Sequence, residues 1–249
     1  IQVLNVLPVQ TEGLDVPVMI AVSTQEVIEG RRLELTRWVE QTIAQVQVNY
    51  EFEKPPVLYE VIELGTPIQN ILSFADLQRS DLIVIGTKER HSWLERTLGT
   101  VSGGVVRRPP CPVLLIPENS NFKAIKRVTY ATSFTAADPY YLWKTLEILK
   151  PFTPAIDAVH LCQDENEDTD LDGETLNAFG RTALETKDFR VYNVETDDIA
   201  HGLEDFAESD RADVLVMYKP RESFVHRLFY ASETQRMAEL CKIPLLVMV

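Results

Sequence analysis

The sequence predicts an α/β protein made of two tandem domains, each a doubly wound parallel sheet covered by helices. Short apolar runs rich in β-branched residues alternate with stretches that place apolar residues at helical spacing. This alternation is typical of a parallel sheet buried under helices. In addition, the second half of the chain repeats the order of segments of the first half.

Composition narrows the class of function. The chain has 249 residues and a formal net charge of −14, which disfavours nucleic acid and anionic membrane surfaces as partners. Apolar runs have strand length, so we expect no direct membrane insertion. Three scattered cysteines and the lack of a visible signal peptide favour a reducing cytoplasmic setting. The first residue is Ile1 rather than Met, so an upstream segment stays open.

The first half begins with a predicted strand over Ile1–Val9 and a helix from about Gln25 to Val48, where apolar residues recur at helical spacing. Pro55 and Pro56 end this region, and Val57–Leu64 is the next strand. Thr66 and Pro67 suit the cap and the first position of a following helix.

The stretch from Asp81 to Pro117 has the clearest chemistry. Leu82–Ile85 predicts a buried strand ending at Gly86, and a basic loop leads to a helix that begins near Gly99. Pro109 and Pro110 end that helix, and Val113–Ile116 is a second buried strand. The whole stretch reads DLIVIGTKERHSWLERTLGTVSGGVVRRPPCPVLLIP. A strand, a glycine turn and a helix N-terminus together favour a bound phosphate, because backbone N–H groups and the helix dipole attract anions.

The repeat is visible segment by segment. Glu195–Tyr218 matches Glu63–Gly86, with an alanine after a phenylalanine and an aspartate before the last strand in both. The strand from Lys242 matches the strand from Cys111, and the strand from Ile156 matches the strand from Ile1. We therefore divide the chain into copy one, residues 1–120, and copy two, residues 121–249.

Copy two has an additional first strand and helix. Ile125–Tyr130 predicts the strand, and Asp138-Pro139 predicts the cap of the helix, whereas nothing corresponding precedes Ile1. A sheet without this strand would have a gap lined by apolar surface. We therefore expect copy one to lack its first strand and helix in this sequence.

The stretch around Gly86 resembles the signature of the universal stress protein family. That signature is Gly, two residues, Gly, nine residues, Gly and then Ser or Thr; Gly86, Gly99 and Thr100 match it, and Glu89 replaces the second glycine. The resemblance implies an adenine nucleotide alpha hydrolase-like fold with strand order 3-2-1-4-5 in each copy. It also implies that the last strands of the two copies pair as an intrachain pseudo-dimer, with a homodimer as a further option.

The resemblance implies an adenine nucleotide site in copy one, holding ATP or AMP, with Mg²⁺ alongside ATP. Gly86 would lie by the ribose, Gly99 and its successors would hold the phosphates, and Val6 would contact the adenine. The expected nucleotide-binding residues are Val6, Gly86, Thr87, Lys88, Arg90, Gly99, Thr100, Val101 and Ser102. We expect no catalytic residue and no structural metal.

Copy two departs from the same signature. Tyr218, Arg221 and Ala231 stand where Gly86, Glu89 and Gly99 stand, and Ser232 alone is kept. A tyrosine would fill the space that a ribose needs, so we expect copy two to serve packing or dimerisation.

Other candidate sites are weaker. The acidic run from Asp164 begins like a calcium loop, but Phe179 stands where the bidentate glutamate belongs, so a solvated loop is preferred. His160 falls within an apolar run and is interpreted as a core residue, and Cys111 as a buried, inert thiol.

These patterns together favour a protein that binds nucleotide and acts as a stress-response sensor or regulator of an unidentified protein partner. At most, we expect slow ATP hydrolysis. Two alternatives stay open: a ligand-free structural or dimerisation module, and a cytosolic regulatory tail of a cation/proton antiporter.

Overall fold

A computed structural model describes residues 1–8, 17–49, 56–87, 100–118, 120–122, 124–163, 169–184, 186, 188–218 and 242–249. Within them lie nine strands and six α-helices, in the order β1 Gln2–Leu7, α1 Pro17–Asn49, β2 Tyr59–Leu64, α2 Pro67–Leu77, β3 Ile83–Thr87, α3 Thr100–Arg107, β4 Val113–Pro117, β5 Arg127–Thr132, α4 Asp138–Leu149, β6 Ala155–Cys162, α5 Gly173–Ala183, β7 Phe189–Glu195, α6 Ile199–Ser209, β8 Val214–Tyr218 and β9 Leu245–Met248.

The chain forms two compact units, Ile1–Phe74 and Ala75–Val249. The first unit contains a two-stranded sheet in which β1 and β2 run parallel, with Gln2 opposite Tyr59 and Leu7 opposite Leu64. Helix α1 is bonded to this sheet through the Thr36 hydroxyl, which donates to Glu60 Oε2 at 2.5 Å. The boundary between the two units, after Phe74, does not coincide with the predicted boundary between the copies. The copy boundary at residue 120 therefore stays a prediction.

The second unit contains a seven-stranded sheet in the order β3-β4-β9-β8-β5-β6-β7. All neighbours are parallel except β4 and β9, which are antiparallel, with Leu114 opposite Leu246. The five strands of copy two therefore lie in the order 3-2-1-4-5. For copy one the corresponding order stays a prediction, because its strands are divided between the two units.

The pairing of β4 with β9 joins the last strand of copy one to the last strand of copy two. Val113, Leu115, Leu245 and Val247 are all buried at this junction. The predicted contact between final strands is thus present within the chain. The core of the second unit lies around β5, where Val128, Tyr130, Leu142 and Val216 belong to one buried cluster.

Several predicted boundaries need correction. Helix α1 begins at Pro17 rather than near Gln25, because the apolar run after Pro17 continues the helix and proline suits a first helical position. Strand β5 spans Arg127–Thr132 rather than Ile125–Tyr130. Its start is set by Asp213, whose Oδ2 accepts the N–H groups of Lys126 and Arg127 at 2.7 and 3.0 Å.

The prediction that Asp138 caps α4 is also wrong. Ala137 occupies the N-cap position and makes no side-chain capping bond, while Asp138 is the first helical residue. The Asp138 carboxylate turns instead toward β5, where it accepts hydrogen bonds from Tyr130 and Thr132. The carboxylate that the sequence pattern assigned to the helix cap thus accepts hydrogen bonds from buried hydroxyl groups instead.

Candidate functional site

The carboxyl end of β3 provides an open backbone position. Gly86 is opposite Ile116 of β4, and it is exposed. Among the described residues, the nearest atom to a Cβ added at Gly86 would be the Ile116 carbonyl oxygen, at 3.9 Å. Thr87 ends the strand, and its hydroxyl donates to the same carbonyl at 3.5 Å. As far as the described residues go, this end of the strand leaves room beside the Gly86 backbone.

Helix α3 follows in the chain and begins at Thr100. Val101 is half-buried, and Ser102 is 4 % exposed. The Ser102 side chain is thus held inside the fold, and its role at a phosphate site stays a prediction. Of the predicted site residues, Gly86, Thr87, Val101 and Ser102 lie in the same unit.

The remaining predicted site residues divide into two groups. Val6 lies on β1 of the first unit, half-buried and opposite Glu63. Lys88, Arg90 and Gly99, with Glu89 between them, lie outside the described residues, as does the side chain of Thr100. Their role stays a prediction.

The corresponding strand end in copy two is filled by aromatic rings. Tyr218, the last residue of β8, stacks on Tyr141 of α4 with ring centroids 3.6 Å apart and planes inclined by 23°. Strand β5 lies next to β8. Strands β6 and β7 lie on the β5 side of this pair, and β9 lies on the β8 side. Ligands of doubly wound sheets bind at the carboxyl ends of such strands. In copy two the two tyrosine rings lie against each other there.

A buried carboxylate network lies beneath these rings, and the sequence analysis missed it. Asp138 is 1 % exposed. Its carboxylate accepts from the Tyr130 hydroxyl at 2.9 Å, the Thr132 hydroxyl at 2.9 Å, and the Thr135 N–H and hydroxyl at 2.7 and 3.2 Å. The alternation of Tyr130 and Thr132 on one strand face, with Asp138 a short loop away, was the available signal.

Burial dominates the electrostatics of this network. It raises the pKa of the Asp138 carboxyl above its ordinary value, and the hydrogen bond from Tyr130 opposes that rise. Burial also raises the pKa of Tyr130 well above its ordinary value. Four donors converge on the carboxyl group, which matches an ionised carboxylate because that form only accepts. The network ties the start of α4 to β5.

His160 lies beside this network, buried at 7 % exposure as the sequence analysis predicted. Its Nδ1 lies 3.1 Å from the Thr132 carbonyl oxygen, and the Phe134 ring stacks on the imidazole at a centroid distance of 4.4 Å. These contacts give the histidine a packing role within the core.

A second charged cluster lies at the start of β5. The Arg127 guanidinium bonds Asp157 Oδ2 at 2.9 Å and Asp210 Oδ1 at 3.1 Å. Burial and the neighbouring Asp157 charge raise the pKa of Asp210 to about 6. One arginine thus serves two carboxyl groups, whose mutual repulsion favours the protonated form of Asp210.

Part of the acidic run that begins at Asp164 caps helix α5. Asp172 caps α5 by accepting the Thr175 N–H at 2.6 Å, and this bond lowers the pKa of Asp172. Asp170 accepts the Ala136 N–H at 3.2 Å. Residues 164–168 lie outside the described part of the chain. Within the described part, no group of three or more His, Cys, Asp or Glu side chains could hold a metal ion.

Among the helices that the structure describes, none combines the length and the apolar character that crossing a membrane requires. Cys111 and Cys162 are both buried, as predicted for Cys111.

Comparison with known proteins supports the fold and a family. The model of the universal stress protein family matches residues 1–117. A universal stress protein from Archaeoglobus fulgidus is similar over 99 % of this chain and 84 % of its own, at 16 % identity and a TM-score of 0.71. A putative universal stress protein from Pseudomonas aeruginosa UCBPP-PA14 is similar over 99 % of this chain and 92 % of its own, at 11 % identity and a TM-score of 0.59. No curated protein sequence matches the chain.

Proposed function

We propose that copy one binds an adenine nucleotide, ATP or AMP, at the end of β3, a proposal supported by the match of residues 1–117 to the model of the universal stress protein family. The observation that carries the proposal is the open backbone at Gly86. A ribose needs such space against the strand, and the start of α3 would supply N–H groups for phosphate.

The contrast between the copies supports one site per chain. Where copy one has Gly86, copy two has Tyr218, whose ring is stacked on Tyr141. A nucleotide in copy two would have to separate these rings. We therefore assign the nucleotide to copy one and a structural role to copy two, a role that the pairing of β4 with β9 also favours.

Bound nucleotide would act as a signal rather than as a substrate. Phosphates held by residues 88–102 would favour one arrangement of that segment, and a protein partner that recognises this arrangement would respond to nucleotide level. Mg²⁺ would accompany ATP by binding to its phosphates. The chain's own residues bind and orient the nucleotide, and any hydrolysis is slow.

The test is calorimetric titration of ATP and AMP into the chain and into a Gly86→Tyr variant, which copies Tyr218. We expect about one site per chain and at least a tenfold weaker affinity in the variant, which corresponds to about 1.4 kcal/mol. Gly30→Tyr is the matched control, because Gly30 lies in the first unit and a Cβ there meets no atom of the described residues within 4 Å. Equal affinity of Gly86→Tyr and the parent chain would exclude this site.

A further inference from the structure

Two tyrosine rings at the end of β8 lie face to face. Tyr141 of α4 and Tyr218 of β8 have ring centroids 3.6 Å apart and planes inclined by 23°. Aromatic pairs in proteins usually adopt offset or edge-to-face arrangements with centroids about 4.5–7 Å apart. The two phenol rings are therefore closer than most aromatic pairs, and the chain does not have to move to bring them into contact.

The surrounding packing holds this pair together. Both side chains pack against the buried cluster that contains Leu142 of α4 and Val216 of β8. The start of α4 is also bonded to β5, because the Asp138 carboxylate accepts hydrogen bonds from the hydroxyl groups of Tyr130 and Thr132. Each ring is thus carried by an element that is fixed in the core of the second unit.

A neighbouring tyrosine offers a comparison within the same helix. Tyr140 is 54 % exposed and meets Tyr141 edge to face, with centroids 5.0 Å apart and planes inclined by 80°. Tyr141 and Tyr218 are half-buried. If exposure alone decided the reactivity of these tyrosines, Tyr140 would react first. If ring contact decides which rings become joined, the product contains Tyr141 and Tyr218.

Contact between two phenol rings permits a specific oxidation. A carbonate radical anion takes one electron and the phenolic proton from a tyrosine and leaves as bicarbonate, so two such radicals convert the pair into two phenoxyl radicals. The two unpaired electrons form a carbon–carbon bond between ring carbons ortho to the oxygens. The hydrogens on these carbons then move to the oxygens and restore both phenols. Rings already in contact couple without diffusion, which favours this product strongly.

We propose that Tyr141 and Tyr218 are an oxidative modification site, at which one-electron oxidants of the carbonate-radical class join the two rings as dityrosine. The new bond ties the first turn of α4 to the last residue of β8. The rings can then no longer separate, so the carboxyl end of β8 stays closed after the oxidant has gone. This modification is independent of nucleotide binding in copy one.

The experiment exposes the dilute chain to carbonate radicals, made by γ-irradiation of bicarbonate buffer saturated with nitrous oxide. Monomeric chains are separated from cross-linked dimers, digested with trypsin and analysed by fragmentation in a mass spectrometer. We expect monomers that have lost two hydrogen atoms, show dityrosine fluorescence and contain the peptide of Tyr141 linked to the peptide of Tyr218. The yield per chain should not change with protein concentration, because the reaction is intramolecular.

Three variants assign the linked residues, since Tyr140 and Tyr141 share a tryptic peptide. Tyr141→Phe and Tyr218→Phe keep the ring but form no phenoxyl radical, and each should lower intramolecular dityrosine by about tenfold or more. Tyr140→Phe is the matched control and should keep the parent yield. Hydrogen exchange at the Val216 amide checks that each variant is folded.

The linked peptides of the parent chain decide the proposal even where a variant is unstable. A parent chain that forms dityrosine between molecules but not within one, or forms none, overturns it. So does intramolecular dityrosine that survives Tyr141→Phe or Tyr218→Phe in a folded chain, or that is lost in folded Tyr140→Phe.

Discussion

At the scale of single residues, aspartates at the two ends of β5 link the strand to the helices around it. Asp138 at one end accepts four hydrogen bonds, and Asp157 with Asp210 at the other end shares Arg127. The Asp138 cluster is buried and the Arg127 cluster partly buried, so the energetics of both depend on whether their donors and acceptors are satisfied.

The first prediction concerns Asp138→Ala. The substitution leaves the hydroxyl groups of Tyr130 and Thr132 buried without their acceptor, and we expect a loss of about 3 kcal/mol in the free energy of unfolding. Urea unfolding measures it. Asp172→Ala is the matched control, because it removes an exposed helix-capping carboxylate from the same unit and should cost less. Equal losses in the two variants would contradict the assigned importance of the buried network.

The second prediction concerns pH and Asp210. The folded pKa of about 6 exceeds the value of about 3.9 in an unfolded chain, so the folded state binds the proton more tightly. The stability that this group contributes is therefore fully present below about pH 4 and is lost as pH rises through about 6. Unfolding measured between pH 4.5 and 7.5 should show this decline.

In an Asp210→Asn variant the decline assigned to Asp210 should disappear, because asparagine does not titrate. Asp205→Asn, at an exposed position on the same helix, should keep it. A decline of the same size in Asp210→Asn would assign the pH dependence to other groups.

At the scale of elements, the sequence patterns predicted most strands and helices of copy two because buried parallel strands have a clear apolar signature. Details that depend on neighbours were missed. β5 starts at Arg127 because Asp213 accepts its first N–H groups, and α4 lacks the predicted cap because β5 takes the Asp138 carboxylate. Each correction comes from a residue outside the element that it changes.

The third prediction tests how closely α5 lies against β7. A Cβ at Gly180 would lie 2.1 Å from the Phe189 ring, and Phe189 is itself buried. Gly180→Ala should therefore lower the free energy of unfolding by about 1–3 kcal/mol, despite the higher helix propensity of alanine. Urea unfolding is again the measurement.

Gly30→Ala in α1 is the control for helix propensity. No atom in the part of the chain that the structure describes lies within 4 Å of the added Cβ, so alanine should raise the stability of the helix by about 0.5–1 kcal/mol. Stabilisation by both substitutions would mean that α5 and β7 are packed less closely than the structure indicates.

At the scale of the whole molecule, the two units differ in how much apolar surface they bury. Of the described side chains in residues 1–74, Val39 is the one hydrophobic side chain that is buried, whereas the second unit has an extensive buried cluster. Regions with few buried apolar contacts open at low free energy. The fourth prediction follows from this difference.

We expect the Leu4 amide in β1 to exchange at least about a hundredfold faster than the Val216 amide in β8. Hydrogen exchange followed by NMR measures both in one sample. If the first unit unfolds separately from the second, the unfolding curve should also show two transitions. Equal protection of the two amides would show that the units open together.

The sequence by itself determined the α/β class, the repeat and the glycine at the end of β3, because these depend on local apolar periodicity and on residue type. Tertiary structure decided the strand order of copy two, the antiparallel junction of β4 with β9, and the partners of Asp138 and Asp210. It also revealed the difference between Val84 and Val216, two similar residues in matching strands. Their exposures differ because burial is set by the neighbouring strand and helix, which a residue's own sequence context does not specify.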